Sequence, residues 1–222
     1  MILGLDAGSR TVAEAEHLLH DVVEVLGLPP GTVGCTHFVR TATGLPHVAC
    51  SLTTGEPARE ATSGGAAGLG TLTADLGSLP GDLGTALGDL GTALGDLGTA
   101  LGDARTGPAD LAEGAALAAA ERASGSGGRL VLYPGRAELT GTLTVADVLA
   151  RSVIDRIVVL GEPEAPSPDT PVATNDHVRP QWRDGQVVLL AMPASGERLM
   201  PAEVPDPTPC LRRPRVTGGE VT

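Results

Sequence analysis

Lysine is absent from this chain, and all fifteen basic residues are arginine. Aromatic residues are nearly absent too: Phe38, Tyr133 and Trp182 occur once each in 222 residues. Rings supply large buried areas to most cores, so a core here must be assembled from Val, Leu and Ala and is expected to be small. The lack of lysine, with one asparagine at Asn175, reads as codon bias and carries no functional message. Cysteine is scarce as well. Cys35, Cys50 and Cys210 are an odd number in a chain of this length, which does not look like a disulfide scaffold. No stretch approaches the roughly 20 apolar residues that span a bilayer. The start, Met-Ile-Leu-Gly-Leu-Asp, lacks a basic leader and reaches an acid at Asp6, so no signal peptide is expected. Nucleic-acid binding is disfavoured by the net charge of −12 and the lack of a basic stripe. Anionic membrane surfaces are disfavoured for the same reason. The short cluster Arg212, Arg213, Arg215 reads as a solvated end. The expected location is the cytoplasm, and no cofactor is implied.

What the chain does have is a tandem repeat. Asp-Leu-Gly-Thr-Ala-Leu-Gly begins at Asp82, Asp89 and Asp96, with a degenerate copy at Asp75. Wound as a helix, it places leucines on one stripe and glycines on the next, a seam that could pair with a second helix or a second chain. Two glycines per heptad cost about 2 kcal/mol against alanine, so an isolated helix would be marginal. The segment therefore reads either as a spacer or as an assembly helix for self-association.

Around the repeat, the sequence divides into residues 1–53, 54–128, 129–210 and 211–222. In the first part, Thr11-Val-Ala-Glu14 is a capping box opening a helix over 11–28, stopped by Gly27 and Pro29-Pro30. Strands are expected at 33–40 and 46–52. Residues 54–70 are rich in Gly, Ala, Ser and Thr and read as linker. Pro108–Ala123 is an alanine-rich helix, a potential antiparallel partner for the repeat, followed by the joint Ser124–Gly128. In 129–210, strands are expected at 129–133, 138–143, 156–160, 177–182, 186–192 and 198–204. Thr144–Asp147 caps a short helix, and Asp184-Gly185 is a type I′ turn signal. The fold expected is α+β: a helix-plus-hairpin head, a helical or disordered spacer, and a β-meander tail with one helix.

No nucleophile elbow, HExxH, phosphate-loop or dinucleotide fingerprint is present. Cys35, His37, His47 and Cys50 form one metal-like set, since two Cys and two His can bind zinc. The spacing is unusual: Cys35 and His37 would share a strand face, whereas His47 and Cys50 would not. Ordinary strand residues are the preferred reading, as for His17 and His20 on the helix. The densest cluster of chemically capable residues is Asp176, His177, Arg179, Trp182 and Arg183. In a strand, His177, Arg179, Gln181 and Arg183 would share a face whose guanidinium groups could hold a carboxylate or phosphate. An Arg/Asp-laced solvent face with Trp182 as core anchor is the preferred reading of these residues.

The block Tyr133-Pro-Gly135, Thr144–Leu149, Arg156–Gly161, Asp176-His-Val-Arg-Pro180, Trp182–Gly185 and Val204–Cys210 resembles a group of small uncharacterised actinobacterial proteins. The resemblance implies no activity. It implies a Cys-Cys…His ending, from which this chain departs by running Cys210-Leu-Arg-Arg. The expected function is a non-enzymatic binding or interaction protein, with the tail recognising a partner or a small anionic ligand. The alternative is a metal-dependent or enzyme-like module using Asp176, His177 and Cys210.

Overall fold

The computed structural model describes residues 1–42, 44–54 and 96–204. Ile2–Ser9 is a strand, β1, although no strand was expected there. It lies antiparallel between β3 (His47–Thr53) and β4 (Gly98–Leu101). Leu3 and Leu5 face a cluster formed with Val48, Cys50, Leu52 and the helix α1 (Val12–Val25). That helix opens on the expected capping box. Glu14 N–H donates to Thr11 Oγ1 at 3.2 Å, and Thr11 N–H donates to Glu14 Oε2 at 3.2 Å.

The helix α2 (Ala109–Ser124) covers the opposite face, where Gly4 and Asp6 point. It lies very close. A Cβ added at Gly4 would collide with the carbonyl oxygen of Ala115, and one at Gly98 with the backbone of Leu111. Ala112, Ala115 and Ala118 are the buried side chains of this interface. Small residues on both partners let the two backbones close the layer that bulky side chains would otherwise fill. A chain with three aromatic residues can pack on this principle.

Gly98 belongs to the third copy of the repeat, and that copy is neither helix nor spacer. It contributes β4, pairing Leu3 with Leu101 and Asp6 with Gly98. An odd-length repeat explains the double reading. In a strand, Leu97, Thr99 and Leu101 fall on one face and Gly98 and Ala100 on the other. The leucines join the α1 cluster and the small residues face α2. The helical cost of the glycines disappears, and the strand gains a ladder on each side. The copies at Asp75, Asp82 and Asp89, the linker and the chain after Val204, with Cys210 and the arginine cluster, lie outside the described residues. The alanine-rich helix packs on β1 and β4.

A short β5 (Ala104–Thr106) ends this side of the sheet. In the other direction β3 pairs with β2 (Val33–Val39), and β2 pairs antiparallel with β6 (Arg129–Leu132), opposing Cys35 to Leu130. The ladder thus runs from the residues read as head directly into those read as tail. Beyond β6 come β10 (Gln181–Arg183), β11 (Gln186–Ala194), β12 (Arg198–Pro201), β9 (Pro171–Ala173) and β7 (Thr142–Thr144). The meander covers β10, β11 and β12. Two parallel pairings complicate it: β8 (Arg156–Val159) with β11, and β9 with β12. Asp184 and Gly185 have φ of 51° and 74°, as a type I′ turn requires. The helix α3 (Val145–Arg151) carries the expected Thr144–Asp147 capping box. The described residues thus form an α+β protein dominated by strands.

Three expected strands are shorter, and that expected at 198–204 ends at Pro201. Residues 138–143 begin in a 3-10 turn, Arg136–Glu138, and only Thr142–Thr144 is extended. Residues 177–180 are not strand, because Asn175 and Asp176 adopt left-handed φ of 52° and 53° and Pro180 lacks an N–H. No helix among the described residues is long and apolar enough to cross a membrane.

Candidate functional site

The break before Pro180 decides the fate of the strand expected to carry recognition. His177, Arg179, Gln181 and Arg183 do not form one polar face. Arg179 is buried, and its Nη2 donates to Glu16 Oε2 on α1 at 2.9 Å. Arg129 Nη1 lies 2.7 Å from the other oxygen of Glu16, and Arg129 Nε donates to Glu203 Oε2 at 2.7 Å. His177 Nε2 lies 3.2 Å from Glu203 Oε1. Burial alone would raise the pKa of Glu16, but the hydrogen bonds from Arg179 and Arg129 outweigh it and hold the carboxyl at about 2. Glu203 is likewise held below the usual range: burial opposes ionisation, and Arg129 overcomes it. Two guanidinium groups are therefore matched by two carboxylates, and the network stitches α1 to the 129–204 region.

The remaining residues of the expected cluster separate further. Trp182 is buried, and the Arg122 guanidinium stands 4.0 Å above its ring centre, a cation–π contact. Arg183 is exposed and donates to Gln181 Oε1 at 3.3 Å. Asp176 Oδ1 accepts the Gly141 N–H at 3.0 Å, so Asp176 and His177 turn to different partners.

The metal-like set is divided between the two faces of the sheet. Cys50 points to α1, its thiol 3.4 Å from the Ala15 carbonyl oxygen, and burial pushes its pKa far up. His37 and His47 point to α2 but to different partners. His47 Nε2 lies 2.7 Å from Asp6 Oδ2, while its Nδ1 lies 2.9 Å from the Leu45 carbonyl oxygen. Gly8 N–H donates to Asp6 Oδ1 at 2.7 Å. Burial pushes the Asp6 carboxyl up. Burial would lower His47, but the Leu45 carbonyl and the Asp6 carboxyl raise it overall. Among the described residues, no group of three His, Cys, Asp or Glu side chains is placed to hold a metal.

His37 Nε2 lies 2.8 Å from Ser51 Oγ, and His37 Nδ1 lies 2.7 Å from Glu121 Oε2. The connectivity is that of a nucleophile, base and acid. The setting is not: Ser51 and His37 are each 1% exposed, and Gly128 covers the ring so closely that a Cβ there would lie 2.6 Å from His37 Cε1. With no approach for a substrate to Ser51, the three groups form a satisfied polar link between β2, β3 and α2.

A recess that a small ligand could enter lies elsewhere. A cleft of about 470 Å3 opens between the C-terminal half of α1, the Pro30–Thr32 loop, the end of β6 and the turns carrying Arg136–Thr140 and Asp176–Val178. Its walls are mostly apolar, with Val23, Leu132, Leu139 and Val178 among them. The Tyr133 hydroxyl is engaged, donating to the Val178 carbonyl oxygen at 2.9 Å. Two charged side chains line the cleft, Arg136 and Asp176. Burial and the nearby Arg179 charge push the Arg136 guanidinium below its usual pKa. Among the described residues it makes no side-chain hydrogen bond or ion pair. Asp176 was legible as a candidate, but Arg136 was missed. It follows Pro134-Gly135 at the end of a strand, and nothing in the sequence shows that its carboxylate partners have gone to other arginines.

No protein-family model, curated protein or solved structure matches the chain. The likeness noted for residues 129–210 therefore rests on the residue pattern alone. The fold and site define a class, an α+β protein with a small-molecule-sized cleft.

Proposed function

We propose that this is a non-enzymatic binding protein, and that a small ligand occupies the cleft beside Arg136. One observation carries the reading: a half-buried guanidinium without a carboxylate partner among the described residues lines a mostly apolar recess. Burying an unmatched charge is costly, and a ligand that completes it recovers that cost. The volume lies within the roughly 300–1,000 Å3 used by small-molecule sites. Arg129 and Arg179 support the reading indirectly, because Glu16 and Glu203 already occupy them.

The test is a thermal-shift panel of small anionic, cationic, zwitterionic and neutral compounds. It compares the native chain with Ala137→Trp, a substitution at an exposed wall position that fills the cleft. At least one class should raise the Tm of the native chain by mass action and leave Ala137→Trp unmoved. Equal shifts in both proteins, or none in either, would remove the cleft as the binding site.

A further inference from the structure

We propose that the ligand of this cleft is a zwitterion, an α-amino acid with an aliphatic side chain. The inference rests on the binding reading above and adds the chemistry of the ligand. Arg136 and Asp176 line the same recess, carry opposite charges, and make no ion pair with each other. Asp176, an exposed residue at the rim of the cleft, gives Oδ1 to the Gly141 N–H, and its Oδ2 has no protein partner among the described residues.

The turn that holds Asp176 is built, not incidental. Asn175 and Asp176 are both left-handed, a conformation that residues with a Cβ visit rarely. Thr174 fixes them. Its backbone N–H and its hydroxyl both donate to the Gly141 carbonyl oxygen, at 2.8 and 2.9 Å, and its Oγ1 accepts the Asp176 N–H at 3.3 Å. On the other side, Arg136 follows Gly135, whose φ of 82° and close approach to the Arg151 backbone set the 3-10 turn. Leu132, Leu139 and Val178 belong to the apolar wall of the same recess.

A simple carboxylate would match Arg136 but meet a like charge in Asp176. A simple amine would match Asp176 and be repelled by Arg136. A molecule carrying both groups, with an aliphatic side chain for the apolar wall, satisfies all three surfaces at once.

The experiment is calorimetric titration of the full chain with L-leucine, 4-methylpentanoate (the same skeleton without the amine) and isopentylamine (without the carboxylate). The native protein is compared with Arg136→Gln and Asp176→Asn. Asparagine tolerates the left-handed backbone and retains the acceptor for Gly141, so this second variant isolates the charge. L-Leucine should bind at least about 10-fold more tightly than either analogue, the usual loss for one charge-assisted hydrogen bond. Asp176→Asn should bring leucine down to the level of 4-methylpentanoate, and Arg136→Gln should weaken both by a similar factor. Equal affinity for leucine and 4-methylpentanoate, unaffected by Asp176→Asn, would overturn the zwitterion while leaving the cleft as a carboxylate site. Failure of all three compounds, with another class in the panel stabilising the native chain but not Ala137→Trp, would also overturn it. Failure of the whole panel would overturn the binding reading itself.

Discussion

Individual residues here are set by partners far away in sequence. Glu16 lies 163 residues from Arg179 and accepts from both Arg179 and Arg129, which is why neither arginine is available to a ligand. Glu16→Gln should destabilise the fold by on the order of 3 kcal/mol, because it leaves the buried Arg179 and mostly buried Arg129 guanidinium groups short of charge. Urea unfolding would measure it. The pH dependence follows in two windows. Glu16 is lowered from 4.5 to about 2, so its contribution is present above pH 4.5 and is lost as pH falls toward 2. Asp6 and His47 are both raised, so the fold binds their protons more tightly than the unfolded chain does. Their contribution is present at low pH and is lost as pH rises, for His47 above 6.5. Melting temperature against pH should therefore fall on both sides of a mildly acidic maximum. Glu16→Gln should flatten the acid limb only.

At the scale of elements, helix α2 lies so close to the sheet that glycine is required on both sides of the contact. Gly114→Ala raises helix propensity by about 1 kcal/mol, yet its Cβ would collide with the Asp6 carboxylate, so the net effect should be destabilising. Gly98→Val tests the strand in the third repeat copy. In a spacer or a helix this change would be harmless or mildly favourable. In β4, the new side chain meets the Leu111 backbone, and the loss should reach about 3 kcal/mol in a denaturant titration. These same elements show what the sequence discloses. The three helices were legible because Thr11–Glu14, Thr144–Asp147 and Pro108 are local end signals, and the Asp184-Gly185 hairpin because φ is a property of two residues. β1 was hidden because two of its inward positions are Gly4 and Asp6, which make sense only beneath α2 and beside His47. β4 was hidden because one heptapeptide satisfies both a helical and an extended pattern. In the cleft, Asp176 was visible and Arg136 was not, since the absence of a partner is a fact of space rather than of sequence.

At the scale of the whole molecule, the β2–β6 ladder and the Glu16 network connect the residues on either side of the repeat. Trp182 is the single tryptophan, and it sits where Arg122 of α2 meets the meander. Its fluorescence should therefore follow the same denaturant midpoint as far-UV circular dichroism, and separate midpoints would argue for independent units. The cleft draws its walls from both sides of this junction: Val23 and Thr32 from one, Arg136 and Asp176 from the other. Ligand binding should accordingly stabilise the junction.

The most direct measurement is a backbone amide NMR map of the full chain during titration with L-leucine. The account predicts saturable shifts concentrated at Gly31, Thr32, Arg136, Thr140 and Asp176, and their disappearance in Ala137→Trp. Shifts clustered instead on the Gln181–Arg183 strand, or a spectrum that leucine leaves unchanged, would contradict it.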